Sequence, residues 1–205
     1  MLIDEFMPVY DVSDSTATVV EADLATTWAA LMDVDLIDVG RKRPLVAMLG
    51  ALRVLPDILS RLLHGELPPR QPARLKLCDL TTLPLDKGGW VLLGLREPDE
   101  IALGLVGKFW RPVIEFARVS SAAEFRDFSE PGFAKTIYAL SVRALDPRRT
   151  LLSGVMRTAT TDADARRWFR RYWTFGVGSG AHLLVNGLLD VTREMAERKV
   201  HEYAP

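Results

Sequence analysis

Apolar positions along this chain follow two periods, one helical and one strand-like. At the C-terminal end Val177, Ala181, Leu184, Leu188, Val191 and Met195 recur at steps of four, three, four, three and four. That spacing sets them on one face of a helix, with Arg193, Glu194, Glu197 and Arg198 mostly off it. The stretch Asp162 to Lys199 therefore reads as one long, interrupted helix. So wide an apolar stripe is not stable alone in water, and something must cover it.

The rest of the chain supplies the cover. Residues 1–14 are a mixed lead-in that packs on a sheet or stays mobile. Ser15 to Val20 reads as a strand, and Asp23 as the N-cap of a helix with Leu24, Trp28, Leu31 and Met32 on one face. Asp33, Asp35 and Asp38 mark its end and a loop. A second helical region, Arg43 to Leu63, is expected to bend at Pro56. The connector Glu66–Pro72 holds three prolines but is no domain boundary, because Pro44–Leu63 cannot bury its own apolar surface. From Arg74 the period is two. Arg74–Leu77, Gly89–Leu95, Ile101–Val106, Val113–Val119, Phe133–Leu145 and Thr150–Thr160 read as antiparallel strands between turn residues. Ser121-Ala-Ala-Glu124 is a capping box opening a single turn, Ala122–Asp127. Thr161 or Asp162 caps the closing helix.

The expected class is α+β, one domain over residues 1–205. A curved antiparallel sheet of about seven strands wraps around the long C-terminal helix, with extra helices after the first strand and 43–64 as a lid or interface. Sheets twist and bury one face, and glycines 94, 104 and 107 permit bending in the middle strands. A sheet that grips a helix at a distance leaves a hollow.

This order, with Trp28 in the first helix, Gly104-Leu-Val-Gly107-Lys-Phe-Trp110, Glu130-Pro-Gly-Phe-Ala-Lys135 and Thr161-Asp162 followed by Arg170-Arg171-Tyr172-Trp173, resembles the SRPBCC superfamily. That group includes START-like domains, polyketide cyclase/dehydrase-like proteins and birch-pollen-allergen-like proteins; the pattern looks most like bacterial members. The likeness runs from about Ser15 to Arg198. It implies a helix-grip fold with a deep apolar pocket for a lipid, polyketide or other hydrophobic molecule. It transfers no catalytic set, and Arg43–Leu63 is longer than the helix pair usual at that place.

Composition narrows the chemistry. The apolar share of 48% and charged share of 26% are those of a globular protein, and a net charge of −1 gives no global attraction to nucleic acid. The single cysteine, Cys78, and the acidic start MLIDEFMPVY lead to a cytoplasmic expectation. Pro44–Leu63 has the length of a membrane span but contains Arg53, Asp57, Arg61 and Pro56, so no span is expected. Its surplus of leucines still permits a dimer face or peripheral membrane contact; monomer and homodimer both stay open.

Gly104–Lys108 has the wrong spacing for a phosphate loop, and the glycines at 176, 178 and 180 follow an aromatic helix rather than a strand. His64, His182, His201 and Cys78 lack metal-ligand spacing, so neither metal nor cofactor is expected. In Arg166-Arg167-Trp168-Phe169-Arg170-Arg171-Tyr172-Trp173 the aromatics read as packing inward while the arginines form solvated ridges. Nucleic acid is the less favoured reading, and one arginine meeting an acidic head group is an intermediate one. Tyr138, Arg157 and Asn186, with His182 on the helix flank, are the polar candidates for facing the hollow, although alternation leaves the direction of Arg157 open. Trp110, Leu184 and Leu188 are the apolar candidates. The expected function is binding of a hydrophobic small molecule as carrier or sensor. The alternative is a cyclase/dehydrase-type enzyme using Tyr138, Arg157, Asn186 or His182 for proton transfer and orientation.

Overall fold

The computed structural model describes residues 1–42, 48, 55, 58, 60, 63–65, 73–82 and 89–203. The expected helical stretch 43–64, with its suggested role as lid or interface, falls almost wholly outside them. The described elements are α1 (Leu2–Phe6), β1 (Val12–Val20), α2 (Leu24–Asp33), α3 (Leu36–Lys42), a 3-10 turn (Cys78–Thr82), β2 (Val91–Arg96), β3 (Glu100–Gly107), α4 (Ala122–Asp127), β4 (Ala134–Asp146), β5 (Arg149–Thr160), α5 (Ala163–Tyr172), a π turn (Trp173–Val177) and α6 (Gly178–Tyr203).

The fold is α+β, with one antiparallel sheet in the order β1-β5-β4-β3-β2. It has five strands, not about seven. Residues 74–77 are not a strand because their backbone is used elsewhere. The Leu36 amide donates to the Leu75 carbonyl, the Leu75 amide to Asp35, and the Lys76 amide to Asp79. Residues 113–119 meet the sheet through one isolated bridge, Gly107 to Phe116, beyond the point where β2 stops pairing with β3. The helix α3 begins at Leu36, where a loop was expected. Asp35 accepts from the Ile37 amide, so one of the acidic residues read as a helix end starts the next helix.

Both faces of the sheet are covered. Alternation along β4 sends Thr136, Tyr138, Leu140 and Val142 to one face and Ile137 and Ala139 to the other. The first face meets α2 and α6, where Leu31, Val185, Leu188, Leu189 and Val191 join Leu140, Val142 and Leu152 in one core. On the second face Ile3 and Phe6 of α1 and Phe125 of α4 pack with Ala102, Val106 and Ile137. The N-terminal lead-in is thus part of a second core. Double coverage explains why β3, Glu-Ile-Ala-Leu-Gly-Leu-Val-Gly, is buried along its whole length and reads as a continuous apolar run. Glu100 accepts the Leu2 amide at 2.8 Å and so holds the start of α1 to the sheet.

The local stop and start signals behave as their chemistry demands. Asp23 accepts from the Thr26 amide at 2.8 Å, and Ser121 accepts from the Glu124 amide at 3.1 Å. Glu124 reaches back to the Ser120 amide, which completes the box one residue early.

The buried face of α6 includes Val185, Leu188, Leu189, Val191, Thr192 and Ala196. Leu184, placed on that face by the sequence pattern, is 46% exposed. Leu188 and Val191 of the same stripe are buried, so the exposure of Leu184 marks where the cover over that face ends and not a change of phase. Packing is close where α6 crosses β5. A Cβ added to Gly154 would lie 2.4 Å from Cγ1 of Val185. Over this part of its length the helix leaves no hollow. We expect Gly154→Ala to destabilise the fold by about 1–3 kcal/mol through overpacking. Urea unfolding should show the cost shrinking when Val185→Ala is added; an equal cost in both backgrounds would contradict the contact.

Candidate functional site

Space opens at the α5 end of the same interface. A partly open cavity of about 130 Å³ lies between the sheet and the helical run 169–181. Its floor is Leu105 of β3, Thr136 and Tyr138 of β4, and Met156 and Thr158 of β5. Phe169, Tyr172, Trp173 and Ala181 cover it, and Trp90, Phe109 and Ile114 close the side. The hollow has a simple origin. Where Val185 and Leu189 fill the interface further along, one turn earlier the helix presents Ala181, and threonines replace the leucines of the sheet floor.

The cover is held by the start of α5. Asp162 accepts from the Asp164 and Ala165 amides at 2.8 Å, and also from the amide of Gly132. Gly132 sits at φ 85°, a conformation that favours glycine. Thr161 exchanges hydrogen bonds with the backbone of Phe133. These contacts tie the first turn of α5 to the start of β4, so Phe169 falls over Ala134 and Leu105. The backbone donors, that of Ala165 first, hold the Asp162 carboxyl below the usual carboxylate range. Further on, the Gly178 amide donates to the Trp173 carbonyl across the π turn.

Six of the twelve lining residues are aromatic and none is charged. Trp90 and Tyr138 are 5.7 Å apart between ring centroids, and Phe169 stands 5.8 Å from Trp173. The Thr136 and Thr158 hydroxyls satisfy each other at 2.9 Å. The Tyr138 hydroxyl makes no hydrogen bond among the described residues. Burial, reinforced by Tyr172 and Asp14, pushes its pKa up to about 12. At neutral pH Tyr138 is therefore a neutral donor in an aromatic wall.

The remaining residues singled out from the sequence go elsewhere. His182 Nδ1 is 2.9 Å from Asp14, Asn186 meets Thr16, and Arg193 donates to Thr18 at 3.3 Å. With Glu197 accepting from the Glu21 amide, these form a polar seam joining α6 to the edge strand β1. Arg157 projects from the other face of the sheet, donating to the Met7 carbonyl at 3.1 Å, pairing with Asp4 at 2.8 Å and lying over the Tyr10 ring. It does not join Tyr138. Leu184 is exposed, and Leu188 is buried in the α2/α6 core rather than in the cavity lining. Trp110 packs beside the aromatic cluster without lining the space. Of the aromatics read as packing inward, Phe169, Tyr172 and Trp173 line the cavity, whereas Trp168 is 55% exposed; none of the three was named from the sequence as a cavity residue.

A larger open trough of about 740 Å³ crosses the opposite sheet face, lined by serines 15, 141 and 153 with Asp99, Glu100 and Arg143. Asp99, Glu100 and Arg143 give this trough charged groups that the smaller cavity lacks. Among the described residues no group of three or more His, Cys, Asp or Glu is placed to hold a metal ion, and no helix is long and apolar enough to cross a membrane.

A Cβ on Gly178 would lie 2.8 Å from the Trp173 ring, so Gly178→Ala is expected to displace that ring although alanine suits the helix better by about 0.5–1 kcal/mol. Near-UV circular dichroism should change while the far-UV signal holds; an unchanged near-UV spectrum counts against the contact. Alkali tests Tyr138. Its raised folded pKa makes a stabilising contribution that is complete below pH 10.0 and is lost as pH rises toward about 12. Tyr138→Phe should flatten that part of the stability profile, measured by urea midpoints.

No protein-family model matches the sequence, and no curated protein does. Solved structures match the chain at low TM-scores. A conserved protein from Geobacillus kaustophilus is similar at TM-score 0.40 and 13% identity, over 92% of this chain and 97% of that one. A hypothetical protein from Helicobacter pylori is similar at 0.38 and 10%, over 92% and 93%. The Zhui aromatase/cyclase from Streptomyces sp. R1128 is similar at 0.33 and 15%, over 92% and 95%.

Proposed function

We propose that this protein binds a small aromatic or cyclic hydrophobic molecule carrying one hydrogen-bonding group, as a carrier or sensor. The observation that carries the reading is the aromatic lining around the unbonded Tyr138 hydroxyl. We read α6 over the sheet as a helix-grip arrangement whose hollow is confined to one end. Size sets the guest. A cavity of about 150 Å³ accommodates a benzene ring, whereas drug-sized ligands take about 300 Å³ or more. At about 130 Å³ the space suits a single ring, a smaller guest than the lipid or polyketide chain that the superfamily resemblance implies.

The second reading, a cyclase/dehydrase-type enzyme, needs two proton-transfer groups converging on the guest. His182 is engaged by Asp14, Asn186 by Thr16, and Arg157 belongs to the other face. Tyr138 is held neutral, which favours donation to a guest over base catalysis. Binding is the better supported of the two.

For a guest of about seven heavy atoms the expected Kd is about 0.1–1 mM. Titration with phenol, cresol, toluene and indole, followed by the fluorescence of Trp90 and Trp173, should saturate in that range. Tyr138→Phe should weaken phenol about fivefold and leave toluene unchanged, the effect of one net hydrogen bond. No saturable response from any of the four, in protein with native circular dichroism, would sink the proposal.

A further inference from the structure

We propose that the outward face of α5 and the π turn is a docking surface for an anionic phospholipid bilayer. Its two ingredients are charge and exposed apolar area. Residues 165–189 contain four arginines and no aspartate or glutamate, although the whole chain has net charge −1. Arg166 pairs with Asp11 and Arg167 with Asp164. Arg170 and Arg171 form no ion pair among the described residues; the Arg171 guanidinium lies 5.4 Å from the Trp168 ring.

Trp168 of α5, Phe175 of the π turn and Leu183 of α6 follow one another along the same helical run. They are 55%, 87% and 38% exposed. An isolated exposed leucine is ordinary, but three large apolar side chains exposed along one helical run that also carries arginines outside any ion pair among the described residues form the pattern of an element lying in a membrane interface. Bases stack on aromatic rings, and neither the leucines nor so few cations build a nucleic-acid track, so a lipid surface suits this face better than RNA or DNA. The opposite side of the same run supplies Phe169, Tyr172 and Trp173 to the cavity. Docking would bring a hydrophobic phase against the back of the cavity wall. The surface stands on its own observations and does not require the cavity to hold a guest.

Cosedimentation of the full chain with phosphatidylcholine vesicles containing about 30% phosphatidylserine tests it, because anionic lipid attracts each basic residue and salt screens that attraction. Binding is expected at about 0.1 M salt, with pure phosphatidylcholine retained far less. Arg170→Gln/Arg171→Gln should cut the affinity about tenfold or more, at roughly fivefold per arginine. Phe175→Ser should also weaken binding without moving the thermal midpoint, since Phe175 is exposed. Failure to bind anionic vesicles, or equal binding by the double variant, overturns the proposal. So does binding of single-stranded oligonucleotide in place of vesicles, or self-association that Phe175→Ser abolishes in a protein that ignores lipid.

Discussion

The seating of α6 against the sheet is the contact from which the rest of the structure follows. Its strength comes from apolar burial, with Val185 and Leu189 pressed onto β5 at Gly154. Its position comes from the polar seam to β1, in which His182, Asn186, Arg193 and Glu197 meet Asp14, Thr16, Thr18 and the Glu21 amide. Half-exposed pairs of this kind contribute little energy one by one, about 1 kcal/mol or less each. They act instead on register: sliding the helix by one turn would leave every one of them facing the wrong partner. Because β1 is an edge strand, the seam also covers the side of the sheet that would otherwise be open.

With α6 seated, the cavity is a matter of side-chain length. The interface is filled wherever branched side chains face each other and hollow where Ala181 stands above Thr136 and Thr158. The aromatic residues of α5 then span the gap without filling it, since Phe169 is anchored at the sheet edge by the Asp162 and Thr161 contacts to β4. The π turn re-phases the helix between two duties, aromatics over the cavity before it and the aliphatic ridge of the core after it.

This division explains what the sequence could and could not disclose. The caps at Asp23, Ser121 and Asp162 were legible because a single residue's chemistry decides them. So were the strands β3, β4 and β5, whose burial pattern is written in their own residues. The strand count was overstated because alternation in 74–77 says nothing about whether a partner edge is free; Asp35 and Asp79 had already taken those amides. Leu184 was misplaced because a helix's apolar period does not show how far along its length the cover extends. Tyr138 was found by its apolar neighbours on β4. His182 and Asn186 have the same profile as cavity residues, polar groups flanking an apolar stripe. Only the three-dimensional partner distinguishes a strut from a ligand contact.

The cavity also has an energetic implication. A partly open pocket of about 130 Å³ leaves the side chains that line it without the packing contacts of a filled interface, which has a cost in stability. Leucine in place of Ala181 or of Thr136 would reduce that cost in a protein selected for stability alone. The two threonines satisfy each other, so the polar groups left to the pocket are those of its aromatic wall, the Tyr138 hydroxyl among them. On these terms the space is the part of the α6 interface that Ala181 and the two threonines are too short to fill, and its aromatic wall bridges it without closing it.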